Sequence, residues 1–135
     1  PSPESIFTAI VKARELGLKL TVALDCFSPI KGVLRPSADL LQSLCEREPD
    51  CEYFKLVEST PERAVYRVKR RSHDAPFPDF VYTMGDAQTA ALASNDNYRK
   101  NPAAMLRARC KSMAARAAFP GACCGLYCPE ELDAA

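Results

Sequence analysis

Residues 102–118, PAAMLRARCKSMAARAA, constrain the chain more tightly than any other stretch. The run has a helix-favouring composition and is bracketed by boundary signals. Asn101 is of a type that caps helix N-termini, and Pro102 stands at the first helical position, where a missing N–H costs nothing. Pro120-Gly121 supplies the stop. Between them Leu106, Cys110, Met113 and Ala117 recur at i, i+4, i+7 and i+11, one apolar stripe. Most of its side chains are small, so a neighbouring element can approach the helix backbone closely.

The charge around this helix has one sign. Arg99, Lys100, Arg107, Arg109, Lys111 and Arg116 are basic, and no acid lies between Asn97 and Phe119. At about 100° per residue, Arg109 and Arg116 share one flank of the stripe, and Arg107 and Lys111 the other. A solvated face ordinarily mixes signs and gains i,i+4 pairs. Forgoing them points to a polyanion. A basic surface helix paired to acids elsewhere in the fold is the plainer alternative.

The rest of the chain predicts an α+β fold. Ser2-Pro3-Glu4 opens a helix whose apolar face holds Ile6, Phe7, Ile10, Val11 and Ala13, and Gly17 ends it. Residues 18–27, LKLTVALDCF, alternate as a strand, with Leu18, Leu20, Val22, Leu24 and Cys26 on one side. Ser28 to Gly32 is expected to turn, with Val33-Leu34 as a short return strand, together an N-terminal hairpin. Ser37 caps a helix carrying Leu40, Leu41, Leu44 and Cys45, which Glu48-Pro49-Asp50 breaks. Strands over 51–58, 64–71 and 80–84 are spaced for a three-stranded antiparallel meander. In the second, Ala64, Tyr66 and Val68 face one way and Arg67, Lys69 and Arg71 the other. Thr83 caps a short helix, GDAQTAALA, before the basic segment. The sum is a small antiparallel sheet packed against several helices.

At 135 residues the chain fits one domain, spanning 1–135. The net charge is only +1, so any binding of nucleic acid must come from segregated charge. No apolar run reaches membrane-spanning length, and no signal peptide is evident. The Pro-Ser-Pro start points to a fragment of a longer chain. The seven cysteines follow no disulfide framework, which favours a reducing compartment and small buried thiols. Zinc is the sharper alternative for Cys45, Cys51, Cys123, Cys124 and Cys128, but there is no C-x-x-C pair and the one histidine is His73. Phosphate-binding loops and nucleophile elbows are absent. Asp25, Glu58 and Asp79 could hold a nuclease metal only if the fold gathered them. Catalysis has no positive signal, and the chain reads as a non-enzyme.

The runs YTMGDAQTAAL, NYRKNPAAMLRAR and AARAAFPGACCGLYCPEEL resemble the RecT branch of the RecT/Redβ phage single-strand annealing proteins. The positions carrying the resemblance are Tyr98, Lys100, Pro102, Met105, Leu106, Arg109, Phe119, Pro120, Gly125, Tyr127, Pro129, Glu130, Glu131 and Leu132. It is strong over 80–132 and looser before. Tyr98 stands where tryptophan is common, and Asn101 where an aromatic residue often precedes the proline. The resemblance implies ATP-independent binding of single-stranded DNA and annealing of complementary strands in phage or prophage recombination, in the cytoplasm of a bacterial host. It implies no cofactor beyond magnesium accompanying the DNA. Partners would be single-stranded DNA, the annealed duplex, further copies of the chain in a ring or filament, and in some relatives an exonuclease. The N-terminal segment and the C-terminal tail of such proteins lie outside this sequence.

Joined to the residue pattern, this predicts a groove lined by Arg67, Lys69 and Arg71 from the strand and by Arg99, Lys100, Arg107, Arg109, Lys111 and Arg116 from the helical segment. Tyr66, Tyr98 and Tyr127 are candidates for stacking on bases, with core packing as the ordinary alternative. The competing class is a non-catalytic interaction domain whose basic helix docks on an acidic protein partner. A metal-dependent nuclease is a third.

Overall fold

A computed structural model describes residues 2–19, 27–30 and 33–123. Helix α1 (Pro3–Glu15) ends where Gly17 adopts φ +69°, a left-handed turn that glycine enters without strain. The hairpin follows as β1 (Phe27–Ile30) and β2 (Val33–Pro36), antiparallel with Pro29 opposite Leu34. Ser28 and Pro29 therefore belong to a strand and not to the turn expected there. A two-stranded ribbon has only edge strands, and an edge tolerates a proline. The strand expected over 18–27 lies mostly outside the described residues; Leu18 and Lys19 are not in one, and Phe27 opens β1.

Helix α2 (Ala38–Glu46) starts as expected, with the Ser37 hydroxyl accepting from Leu40 N at 3.1 Å. It is apolar on two sides. Leu41 and Cys45 join the main core, while Leu40 and Leu44 pack with Ala9 of α1 and Phe27 in a second cluster.

Strands β3 (Cys51–Ser59), β4 (Arg63–Arg70) and β5 (Phe80–Thr83) form the antiparallel meander in sequence order. Two register irregularities mark β3, between Cys51 and Tyr53 and between Leu56 and Glu58. Thr83 and Asp86 close a reciprocal capping box on α3 (Met84–Thr89). That helix is shorter than the sequence implied. Ala91 turns left-handed at φ 61°, which lets Leu92 bury itself completely. Burial of a leucine offsets the roughly 1 kcal/mol that such a backbone costs.

The basic segment is two helices, α4 (Asp96–Lys100) and α5 (Pro102–Ala118). Asn101 separates them at φ −136° and ψ 62° and makes no side-chain cap bond, so its expected capping role is not realised. Pro120 starts a further short helix, α6 (Pro120–Cys123), after the break at Phe119. The buried arc of α5 holds Leu106, Cys110, Ala114, Ala115 and Ala118; Met113 is only half-buried and Ala117 is exposed. The stripe is rotated toward the alanines because α5 packs on two neighbours, the β4–β5 face and α2. Small side chains allow both approaches. The core is thus one layer of helices on one face of a small antiparallel sheet, the α+β architecture that the sequence predicted. Among the described residues no helix is long and apolar enough to cross a membrane.

Candidate nucleic-acid interface

Strand alternation decides where the predicted cations go. Ala64, Tyr66 and Val68 of β4 are buried beneath α5. Arg67 and Lys69 therefore point to the opposite face of the sheet. There each has an acid. Arg67 donates to both carboxylate oxygens of Asp79 at 2.8 and 3.0 Å, and Lys69 Nζ lies 3.1 Å from Glu52. Arg63 pairs with Glu58 beside them. The Asp79 carboxyl is held below the usual carboxylate range by its hydrogen bond with Arg67. Arg71 falls beyond the end of β4 and donates to the Pro49 carbonyl. The single trough expected from two converging cationic segments is not formed: the sheet lies between them, and acids occupy the strand side.

On the helical side the cations divide. Arg109 sits over the Tyr82 ring at 5.7 Å, on the β5 flank. Arg99 pairs with Asp96 in α4, and Lys100 is exposed. Arg116 is half-buried. Arg107 and Lys111, one turn apart, line a cleft of about 320 Å³ together with Ala104, Ala108 and the first turn of α2, Ser37, Ala38 and Asp39. Arg107 also donates to the Ser59 hydroxyl at 2.9 Å. The Lys111 ammonium lies 5.9 Å above the Tyr66 ring and pairs with Asp39. Its side chain is 15% exposed, whereas that of Asp39 is 84% exposed, so the carboxylate is the solvent-facing member of the pair. The cleft joins two fixed cations to the positive end of the α2 dipole.

Of the stacking candidates, Tyr66 and Tyr98 are buried core residues and cannot meet a base; Tyr127 lies outside the described residues. Burial raises the Tyr66 and Tyr82 phenols above their ordinary value. Among the nuclease candidates, Glu58 and Asp79 are committed to arginines, and Asp25 lies outside the described residues. No group of three or more potential metal ligands occurs among the described residues. Cys45, Cys110 and Cys123 are buried free thiols, and burial pushes the Cys110 thiol up to about 11.

The sequence reading missed Arg70, which lies on the helix side of β4. Its guanidinium covers the Phe119 ring at 4.7 Å, donates to the Ala118 carbonyl at 2.9 Å and to Asp50 at 2.7 Å. The signal was available in the alternation, since position 70 falls in phase with 64, 66 and 68. Asp50 also accepts from the Ser72 hydroxyl at 2.7 Å and from Ser72 N at 2.8 Å. These bonds, Ser72 first and Arg70 next, hold its carboxyl down to about 2 from 3.8. A depressed carboxylate stabilises the fold above its unfolded value and ceases to do so as pH falls through the folded one. Thermal midpoints of the protein should therefore drop between pH 4 and 2, and the drop should be shallower in Asp50→Asn. Equal slopes in both proteins would show that this cluster does not couple to folding.

No family model matches the sequence, and no curated protein is similar enough to be counted as a relative.

Proposed function

We propose that the chain binds single-stranded DNA through its phosphates and anneals complementary strands without ATP, using the cations of α4 and α5. The observation that carries this reading is the cleft in which Arg107 and Lys111 converge on the first turn of α2. The resemblance of residues 80–132 to phage annealing proteins supports it. On this reading the protein serves recombination of phage or prophage DNA in a bacterial host and is not an enzyme.

The mechanism follows from charge and geometry. A phosphate entering the cleft takes the place of the exposed Asp39 carboxylate on Lys111 and meets the Arg107 guanidinium. Phosphate contacts hold the strand in position and carry no sequence information. The bases then face outward and are free to test a second strand. A protomer of net charge +1 holds few phosphates, so copies arrayed along one strand would raise avidity without new contacts. The Arg67–Lys69 face takes no part, because Arg67 holds both oxygens of a partly shielded Asp79 and Lys69 is largely buried against Glu52, whereas the acids on Arg99 and Lys111 are well exposed and can yield to a phosphate.

Fluorescence annealing of two complementary oligonucleotides without ATP tests the proposal directly. Four phosphates per protomer, one each for Arg99, Lys100, Arg107 and Lys111, give a salt slope of about −0.7 × 4, roughly −3. Salt-insensitive binding, or no annealing, would contradict it. One observation favours a second reading. The Asp39 carboxylate already occupies Lys111, so the same cleft accepts acidic side chains. Binding of a polyglutamate peptide without DNA annealing would select an interaction domain for an acidic protein partner.

A further inference from the structure

Cys45 closes the last turn of α2, and Cys123 ends α6. Both side chains are fully buried, in one core cluster, on helices that pack against each other. The Cys45 thiol is within hydrogen-bonding reach of the Cys123 side chain, and Cys45 Sγ also lies 3.8 Å from the Ala115 carbonyl of α5. We propose that Cys45 and Cys123 are a paired oxidation site that closes to an intramolecular disulfide with hydrogen peroxide, pinning α2 to the segment that follows α5. This proposal does not depend on the DNA reading.

The geometry favours this pair over the other described cysteines. Cys110 lies mid-helix with its thiol directed at the Phe80 carbonyl at 3.2 Å. Cys51 is half-buried on β3. Neither has another cysteine as its hydrogen-bond partner in the described structure. The Cys45 thiol is raised above its ordinary value, chiefly by its hydrogen bond to the Cys123 sulfur and by burial, so the closed pair holds little thiolate. Reaction therefore runs through an opening of α6. That helix has four residues, Pro120 and Gly121 are exposed, and Cys123 is its one buried side chain. Short elements with few buried contacts open at small free-energy cost.

The chemistry balances. In the opened state one thiolate attacks a peroxide oxygen, the O–O bond breaks, and a sulfenic acid forms with release of hydroxide, which takes up the thiol proton as water. The second thiolate attacks that sulfur, the S–O bond breaks, and a second water leaves. Two thiols have lost two electrons to the peroxide. The bridge closes a loop of roughly 80 residues, among the lengths for which chain-entropy stabilisation is large.

The test is peptide mapping by mass spectrometry of the intact protein after stoichiometric hydrogen peroxide, under non-reducing conditions. The expected product links the peptide of Cys45 to that of Cys123, leaves Cys110 reduced and is reversed by dithiothreitol. The thermal midpoint of the oxidised protein should rise by roughly 10 °C. Cys45→Ala and Cys123→Ala should each abolish the linkage, while Cys110→Ala retains it. A bridge to Cys51, Cys124 or Cys128 in place of this pair, an unlinked protein, or an unchanged midpoint would overturn the proposal. The wild-type map decides the matter even if an alanine variant fails to fold.

Discussion

Replacing Phe119 by alanine should destabilise the protein by about 3–5 kcal/mol, read as a lowered midpoint in urea unfolding. Phe119 is 2% exposed and belongs to the main core at the break between α5 and α6. Removing it empties a ring-sized space that the surrounding helices and sheet fill only in part. It also uncovers Arg70, whose guanidinium lies 4.7 Å from that ring. An arginine stacked on an aromatic face is partly shielded from water, and its bonds to Asp50 and the Ala118 carbonyl gain from that shielding. The predicted loss is a large part of the roughly 5–15 kcal/mol available to a domain. Phe119→Leu refills most of the volume and should recover most of the stability. An alanine variant within about 1 kcal/mol of the wild type would mean that the α5–α6 corner collapses onto the gap.

Phe119 also shows what could be read before any coordinates. The Pro120-Gly121 pair beside it marked the end of the long helix, and the helix ends at Ala118. The Ser37 and Thr83 caps, the meander and the left-handed Gly17 were legible for the same reason: each depends on a few adjacent residues and a local geometry. The groove failed at a longer range. Alternation assigned Arg67 and Lys69 to one face and Ala64, Tyr66 and Val68 to the other. A helix with an apolar stripe must cover the apolar face. The two sets of cations were therefore destined for opposite sides of the sheet, a consequence already contained in the pattern. Nothing local disclosed the partners. Asp79 and Glu52 lie 12 and 17 residues from the cations they neutralise, and Asp39 lies 72 from Lys111. The rotation of α5 toward its alanines likewise depends on α2, a neighbour 64 residues back from Pro102 at Ala38.

The double variant Arg107→Ala, Lys111→Ala should bind single-stranded DNA about fifteenfold more weakly at 0.15 M salt, with a salt slope shallower by about 0.7 × 2, roughly 1.4. The figure assumes that each lost phosphate contact forfeits its counterion release, about fourfold in affinity at that ionic strength. The loss should be the same for every oligonucleotide sequence, because a phosphate contact does not distinguish bases. Lys111→Arg keeps the charge and should retain most of the binding. The double variant Arg67→Ala, Lys69→Ala removes as much positive charge from the opposite face of the sheet. Those side chains are matched by Asp79 and Glu52, which are far less exposed than the Asp39 carboxylate on Lys111, so their loss should leave both affinity and slope close to wild type. Fluorescence anisotropy titrations across a salt series measure all four proteins on one scale. An equal loss in both double variants would make binding a matter of net charge. A loss confined to the Arg67/Lys69 pair would move the interface to the strand face. Only a loss confined to Arg107 and Lys111 fits a phosphate held in the cleft between α2 and α5.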